Sequence, residues 1–468
     1  MTSALRHPVA LLWLAVLAIA AFHQPALAQA GPELDPRIEK LLAQISQERL
    51  DAILRTLQTF ETRNTLSSTD SPTKGIGAAR TWILGEMKKS STRLQVSFDT
   101  YQIPRSGRIT RDIELSNVVA ILPGGSPRRV YVTAHYDTFA AERRSSAATG
   151  GATGGAGLPP GGAGAPSSQS SQQPGPTPPP RPTDNPAPGV NDDGSGTALV
   201  MELARVFAES GLEFDATLVF AALAGEEQGL IGARQHAQRA AAEKITIDAV
   251  LNNDMVGNAE SGLGTLDSES VRVFSESPED SPSRQLARYV QRQAARYVPS
   301  HRTRLIARYD RFGRGGDHTP FNQAGFAAVR ITESNEHYGR QHTTADTIES
   351  VSMPYLVKNV KVNAAALASL ALAPASPAVV EKGRPLLGRG PSGYDAQLRW
   401  AASAGAVGYR IFWREAWAPD WEHELNVGNV TEFLLPGMSI DDYVFGVAAV
   451  GANGHESLVS AYVNPARQ

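Results

Sequence analysis

Apolar and polar positions recur in two rhythms along this chain, and the change of rhythm divides it. Near the beginning, Ile38, Leu41, Leu42, Ile45 and Leu50 fall at helical spacing, so residues 35–63 predict a helical lead-in. Short, nearly all-apolar runs at 116–122, 130–135, 216–222, 249–255 and 327–331 predict strands. Amphipathic stretches at 196–210, 283–297 and 353–372 predict helices. Strands that are apolar on both faces need cover on both faces. The expected fold is α/β, a three-layer αβα sandwich around a mostly parallel, mixed sheet.

Beyond Pro374 the period drops to two. Leu398 and Trp400, then Tyr409, Ile411 and Trp413, then Tyr443, Phe445 and Val447 alternate along short runs. Turn signals such as Leu435-Pro436-Gly437 and Gly451-Ala452-Asn453-Gly454 separate them. Short alternating strands without helix predict a small all-β sandwich over residues 378–466. In the order of its aromatic strands and the 443–450 strand followed by a turn, this stretch resembles a fibronectin type III domain. It is expected to be catalytically silent, with a surface or polymer as the partner to test for.

Composition narrows the setting. At 468 residues the chain is too long for one core, and residues 35–373 are expected to form the larger domain. Arg6 and His7 precede an apolar run from Val9 to Phe22, and Pro25-Ala26-Leu27-Ala28-Gln29-Ala30 follows. That order describes a secretory signal, residues 1–28, cut after Ala28 or Ala30. The run is shorter than the ~20 residues of a spanning helix, and no later segment is long and apolar enough to span. Net charge is −3, which gives no electrostatic basis for nucleic acid or an anionic membrane as partner. With no cysteine, disulfides, thiolate ligands and a cysteine nucleophile are excluded, so any metal is held by His, Asp and Glu. The protein is expected to be exported, to a periplasm or the extracellular space. Residues 139–188, rich in Gly, Ala, Ser, Gln and Pro, are expected to be a disordered surface insertion whose ends lie close together.

Five short motifs carry candidate chemistry. The strand at 130–135 delivers His135-Tyr136-Asp137, where His135 can bind a metal and Asp137 can orient a ligand. Asn191-Asp192-Asp193-Gly194-Ser195-Gly196 opens a helix, where an aspartate is also an ordinary cap. Gly225-Glu226-Glu227 ends an apolar strand, and two adjacent carboxylates there are costly to bury without cations. Asp254-Met255-Val256-Gly257 ends another, and His342-Thr343 with Asp346 follows a fifth, where Asp346 is placed to bond the ring of His342. Singly, each also reads as a solvated strand end, a cap or a turn. Together, four at strand ends and one in the loop after another strand, they place two His, two Asp and one Glu at one edge. That set suits two zinc ions with a bridging carboxylate.

The five motifs, in this order, resemble the zinc aminopeptidases of the bacterial leucine aminopeptidase and aminopeptidase Y type, over residues 35–372 apart from the insertion. The resemblance implies the zinc exopeptidase fold, with His135 and Asp254 on one zinc, Glu227 and His342 on the other, and Asp192 bridging. It implies Glu226 as general base while a hydroxide held by both zinc ions attacks a peptide with a free N-terminus. It also implies a cis Asp192–Asp193 bond. Relatives often carry tyrosine where this chain has Gln341, and Tyr338 is the candidate substitute. Within the 314–321 stretch, Asp317 is a candidate supporting residue and His318 a structural one. A carboxypeptidase or dipeptidase shares every ligand. A monozinc glutaminyl cyclase and a non-catalytic binding protein share the fold, but the complete five-ligand set argues against both.

Overall fold

The computed structural model describes residues 34–140, 183 and 185–463. The signal-like segment 1–28, most of the 139–188 stretch and the end of the 378–466 stretch lie outside the described residues. The lead-in is two helices, α1 (Pro36–Ala43) and α2 (Gln47–Thr59), because Ser46 leaves helical geometry and its hydroxyl caps Arg49 N at 3.2 Å. There follow α3 (Gly75–Ser90), β1 (Gln95–Ile103), β2 (Ile113–Leu122), β3 (Ser126–His135), α4 (Gly194–Glu209), β4 (Ala216–Leu223) and α5 (Ile231–Ala242). Then come β5 (Ile247–Asn253), β6 (Ser270–Ser275), α6 (Pro282–Tyr297), β7 (Arg302–Ile306), α7 (His318–Gln323), β8 (Ala328–Glu333) and α8 (Met353–Leu372).

The eight strands form one mixed sheet in the order β1-β2-β4-β3-β5-β8-β6-β7. Its centre, β4-β3-β5-β8, is parallel, while β1, β2 and β6 join antiparallel. The central strands are buried on both faces, and alternate residues feed two cores. On β4, Leu218, Phe220 and Ala222 face the core built with α1 to α4, α6 and α8. Val219, Ala221 and Leu223 face the core built with α5 and α7, through Ala233, Ala237 and Phe321. This is the three-layer sandwich that the continuous apolar runs require.

Beyond Pro374 the chain forms short strands: β9 (Val380–Glu381), β10 (Arg384–Pro385), β11 (Leu387–Arg389), β12 (Asp395–Arg399), β13 (Ala406–Glu415), β14 (His423–Gly428), β15 (Glu432–Ser439), β16 (Tyr443–Gly451) and β17 (Ser460–Ala461). A β11-β12-β15 sheet and a β14-β13-β16-β17 sheet are both antiparallel, and they share a core of Leu398, Trp400, Tyr409, Ile411, Phe445 and Val447. Helix α6 and the residues just before it are joined to this stretch by polar contacts. Arg414, 1% exposed, reaches both oxygens of Asp280 at 2.8 Å, and Trp421 Nε1 donates to Gln285 Oε1 at 3.0 Å.

Candidate metal centre

Because β3, β4, β5 and β8 are parallel, their C-terminal ends share one edge. His135 is the last residue of β3, Asp254 directly follows β5, and Glu226 and Glu227 lie in the turn after β4. His342 lies in the loop after β8. Asp192 sits in the turn that opens α4, as its helix-opening motif predicts, so three of the motifs rather than four end strands. Asp193 brings that turn to the edge. Its Oδ1 accepts from Gly196 N (2.9 Å) and Met255 N (3.1 Å), and its Oδ2 accepts from His135 N (3.1 Å). One carboxylate thus joins the starts and ends of three elements. Gly196 is required there, because a Cβ would stand 2.6 Å from the carbonyl of Asn253. The Asp192–Asp193 peptide bond is cis.

Asp192 stands between two groups of donors. Its Oδ1 is 3.4 Å from His135 Nε2, and its Oδ2 is 3.1 Å from His342 Nε2. Asp254 Oδ1 is 3.8 Å from His135 Nε2, and Glu227 Oε1 is 3.1 Å from His342 Nε2. In each trio the candidate ligand atoms lie within 4.8 Å of one another. A tetrahedral zinc with bonds of ~2.0–2.2 Å separates its ligand atoms by about 3.3–3.6 Å. The observed spacings therefore suit one ion in each trio, with Asp192 common to both. The protonation pattern agrees. Burial works against charge on His342, yet hydrogen bonds to Asp192 and Glu227 pull it up to about 11, the field that also attracts a dication. Glu227 Oε1 is buried, with His342 Nε2 as its polar neighbour at 3.1 Å.

The supporting contacts differ in part from the expectation. His135 Nδ1 lies 3.0 Å from the backbone carbonyl of Asp137, so donation there leaves Nε2 as the free donor atom. The Asp137 carboxylate holds the glutamate turn, accepting from Glu226 N and Glu227 N at 3.2 Å each and from Thr65 Oγ1 at 3.0 Å. Asp346 does not bond the His342 ring. Its two oxygens accept from Asn191 N and Asp192 N, each at 2.9 Å, so it fixes the Asp192 turn instead. Tyr338 is 64% exposed, and Gln341 occupies the place beside the donors, giving Nε2 to Asp192 Oδ2 at 2.9 Å. Asp317 is buried with both carboxylate oxygens unpartnered among the described residues, and burial pushes it up to about 8. His318 Nε2 is 2.6 Å from the carbonyl of Tyr309, a structural contact.

Two arginines went unread. Arg330, on β8 and fully buried, places Nη2 3.0 Å from Asp254 Oδ2 and Nη1 3.2 Å from Asp310 Oδ2. A charge inside an apolar strand was its only signal. Arg63, in the loop after α2, had none, because all its partners but Leu57 lie far along the chain.

The model of peptidase family M28 matches residues 117–367, just over half of the sequence. The chain belongs to peptidase family M28. Its relatives include a probable zinc metalloprotease of Leptosphaeria maculans, 35% identical over 461 residues and spanning 91% of this chain and 96% of that one. A probable zinc metalloprotease of Pyricularia oryzae is 35% identical over 464 residues, spanning 90% and 84%. Among solved structures, the LapA aminopeptidase of Legionella pneumophila shares the M28 chain's fold with a TM-score of 0.52, at 18% identity over 74% of this chain and 77% of that one. A Porphyromonas gingivalis glutaminyl cyclase aligns with a TM-score of 0.50, at 16% identity over 69% and 98%. This M28 protein is a zinc metalloprotease, with a His, Asp and Glu cluster compatible with metal binding.

Proposed function

We propose that this protein is an exported aminopeptidase that removes residues from the free N-terminus of peptides and binds two zinc ions. His135 and Asp254 would hold one ion, Glu227 and His342 the other, and Asp192 both. The observation that carries this reading is the pair of donor trios sharing Asp192. Zinc, when bound there, supplies acidification of the attacking water and polarisation of the scissile carbonyl.

The remaining work falls to side chains. Glu226 borders a cleft of about 350 Å³ whose wall includes Leu230, Gln341 and Arg314, room for a short peptide end. Burial raises the Glu226 carboxyl well above the ordinary range, against the pull of His135, and nearby Glu227 and Asp254 raise it further. A carboxyl tuned upward takes a proton from the attacking water and returns it to the departing amine. Asp137 fixes the turn that carries Glu226, and Asp346 fixes the turn that carries Asp192. The aminopeptidase named among the structural neighbours favours action from the N-terminus, and the signal-like segment 1–28 favours export. The β11–β17 sheets, three strands facing four, support the fibronectin type III reading of the C-terminal stretch.

The test is hydrolysis of aminoacyl-anilides and of N-blocked peptides, by zinc-loaded protein and by Glu226→Gln. Cleavage of free-amine substrates alone, abolished by chelation and lowered at least 100-fold by Glu226→Gln, is expected. Cleavage confined to blocked peptides with free C-termini would replace the proposal with a carboxypeptidase.

A further inference from the structure

Three arginines, Arg108, Arg311 and Arg314, line the cleft beside the donor trios. They are not equivalent. Arg311 is committed, with Nε 3.1 Å from Asp310 Oδ1 and Nη1 2.7 Å from Glu336 Oε2. Arg108 donates Nη1 to the backbone carbonyl of Glu227 at 2.8 Å and has no carboxylate within 4.0 Å among the described residues. Arg314 donates Nη1 to Gln341 Oε1 at 3.1 Å, and its nearest carboxylate, Glu336 Oε2, is 4.0 Å away. Two guanidiniums therefore meet the cleft with mostly neutral contacts and several donors unused. Each is anchored to the site: Arg108 through the backbone of Glu227, and Arg314 through Gln341, which itself bonds Asp192.

The acidic side chains of the cleft wall are Asp192, Glu226, Glu227 and Asp254. These four, with His135 and His342, serve the metal and the proton, and the charge left over for a ligand is positive. With Nη1 engaged by one neutral contact, each planar guanidinium keeps its Nε–Nη2 edge for bidentate recognition of a carboxylate. The exposed part of Arg314, 32% of its side chain, leaves it accessible from the cleft.

The geometry points to recognition of a substrate carboxylate by Arg314 and Arg108, in a peptide whose reacting end lies at Glu226. This rests on the proposed peptidase reading of the same site. The carboxylate has two sources: the C-terminus of a di- or tripeptide, or an Asp or Glu side chain near the scissile bond. Both present the same fork to the same donors.

Binding separates this inference from turnover. Zinc-loaded Glu226→Gln protein is titrated calorimetrically with Ala-Leu, Ala-Leu-amide and Glu-Leu-amide. At least one carboxylate-bearing peptide is expected to bind tenfold or more tighter than Ala-Leu-amide, the scale of a charge-assisted hydrogen bond. A preference for Ala-Leu assigns the C-terminus, and a preference for Glu-Leu-amide assigns the side chain. Adding Arg314→Met and Arg108→Met is expected to erase the preference while Ala-Leu-amide binding stays within about twofold. Equal binding of all three peptides, no detectable binding of either acidic peptide at millimolar concentration, or a preference that survives both arginine substitutions would overturn the inference. Failure of the peptidase reading shows separately, as absent hydrolysis of free-amine substrates by the unsubstituted enzyme while the binding preference persists.

Discussion

Arg63→Met is the perturbation that best separates the scaffold of the metal centre from its ligands. Arg63 is 1% exposed, and its guanidinium donates to the carbonyls of Leu57 (3.2 Å), Tyr136 (2.7 Å), Pro188 (2.6 Å) and Gly189 (2.8 Å). Tyr136 precedes the 141–182 stretch, whereas Pro188 and Gly189 follow it. The backbone adds to this clasp, since Arg63 N donates to Thr138 Oγ1 and Thr138 Oγ1 donates to the carbonyl of Ala187, both at 2.9 Å. The segment bearing His135 is thereby tied to the segment bearing Asp192.

Four charge-assisted bonds at ~1.5–3 kcal/mol each give a gross contribution of about 6–12 kcal/mol. Burial opposes it: the guanidinium is pulled down from 12.5 to about 10, a bias of roughly 3 kcal/mol against the charged form. The difference is trimmed toward its lower end, because carbonyl oxygens tolerate partial satisfaction better than donors do. Arg63→Met is expected to cost about 3–5 kcal/mol, because four buried carbonyls lose their charged donor. Differential scanning fluorimetry should show a Tm lower by about 5–10 °C. Chelator competition should show zinc affinity reduced about 10–100-fold, because supporting residues of metal ligands act at that scale. A Tm within about 1 °C of the unsubstituted protein together with unchanged zinc affinity would refute the clasp. Arg63→Lys, which keeps the charge but not the fork, should fall between the two.

Further expectations concern other buried charges. Arg330→Met should lower stability by about 3–5 kcal/mol by stranding Asp254 and Asp310, read as a fall in the urea midpoint, and an unchanged midpoint would dismiss the pairings as idle. Arg414→Met should loosen the junction of α6 with the β-rich stretch, and truncation after Pro374, which bares Gln285 and Arg288 on α6, should yield aggregating protein. A soluble truncated protein with full turnover would instead restore the C-terminal stretch as an independent appendage. Asp99 is held down at about 2: burial opposes ionisation, but His236 (2.7 Å), Tyr101 (2.9 Å) and Arg239 (2.6 Å) outweigh it. Its ionised form thus contributes roughly 2 kcal/mol above the unfolded value of 3.8, lost as pH falls toward 2, before screening at the Arg239 side reduces it. Asp99→Asn should therefore lower Tm at pH 6 and converge with the unsubstituted protein near pH 2, and a constant gap across that range would exclude the linkage. Tyr338→Phe should leave turnover unchanged, because the side chain is exposed, and a drop of tenfold or more would return Tyr338 to the site.

The central sheet was legible because burial writes itself into composition. The strands at β2, β3, β4, β5 and β8 read as continuous apolar runs, and helices α4, α6 and α8 were recovered to within two residues. The edges were not. β1 has the sequence QVSFDTYQI and lies mostly exposed at one margin, while β7, RTRLI, lies at the other, so neither carries an apolar signal. Helix α5 rests on its sheet through Ala233, Ala237 and Ala240, side chains too small to mark a stripe. Met255 and His342, with φ of 56° and 55°, adopt left-handed conformations that no local pattern of bulky residues predicts, and tertiary contacts hold them.

The sequence by itself determined the sandwich, the order of its chemistry-bearing motifs, and the N/O character of the donor set, because those depend on residue type and short spacing. Only the tertiary structure decided which atoms face one another. It placed Asp192 between two histidines, turned Asp346 onto the backbone of the Asp192 turn, put Arg330 behind Asp254, and set Arg63 across the ends of the 141–182 stretch. Each of those contacts joins residues dozens to more than a hundred positions apart, and the orientation of such a pair is fixed by packing that a one-dimensional pattern does not encode.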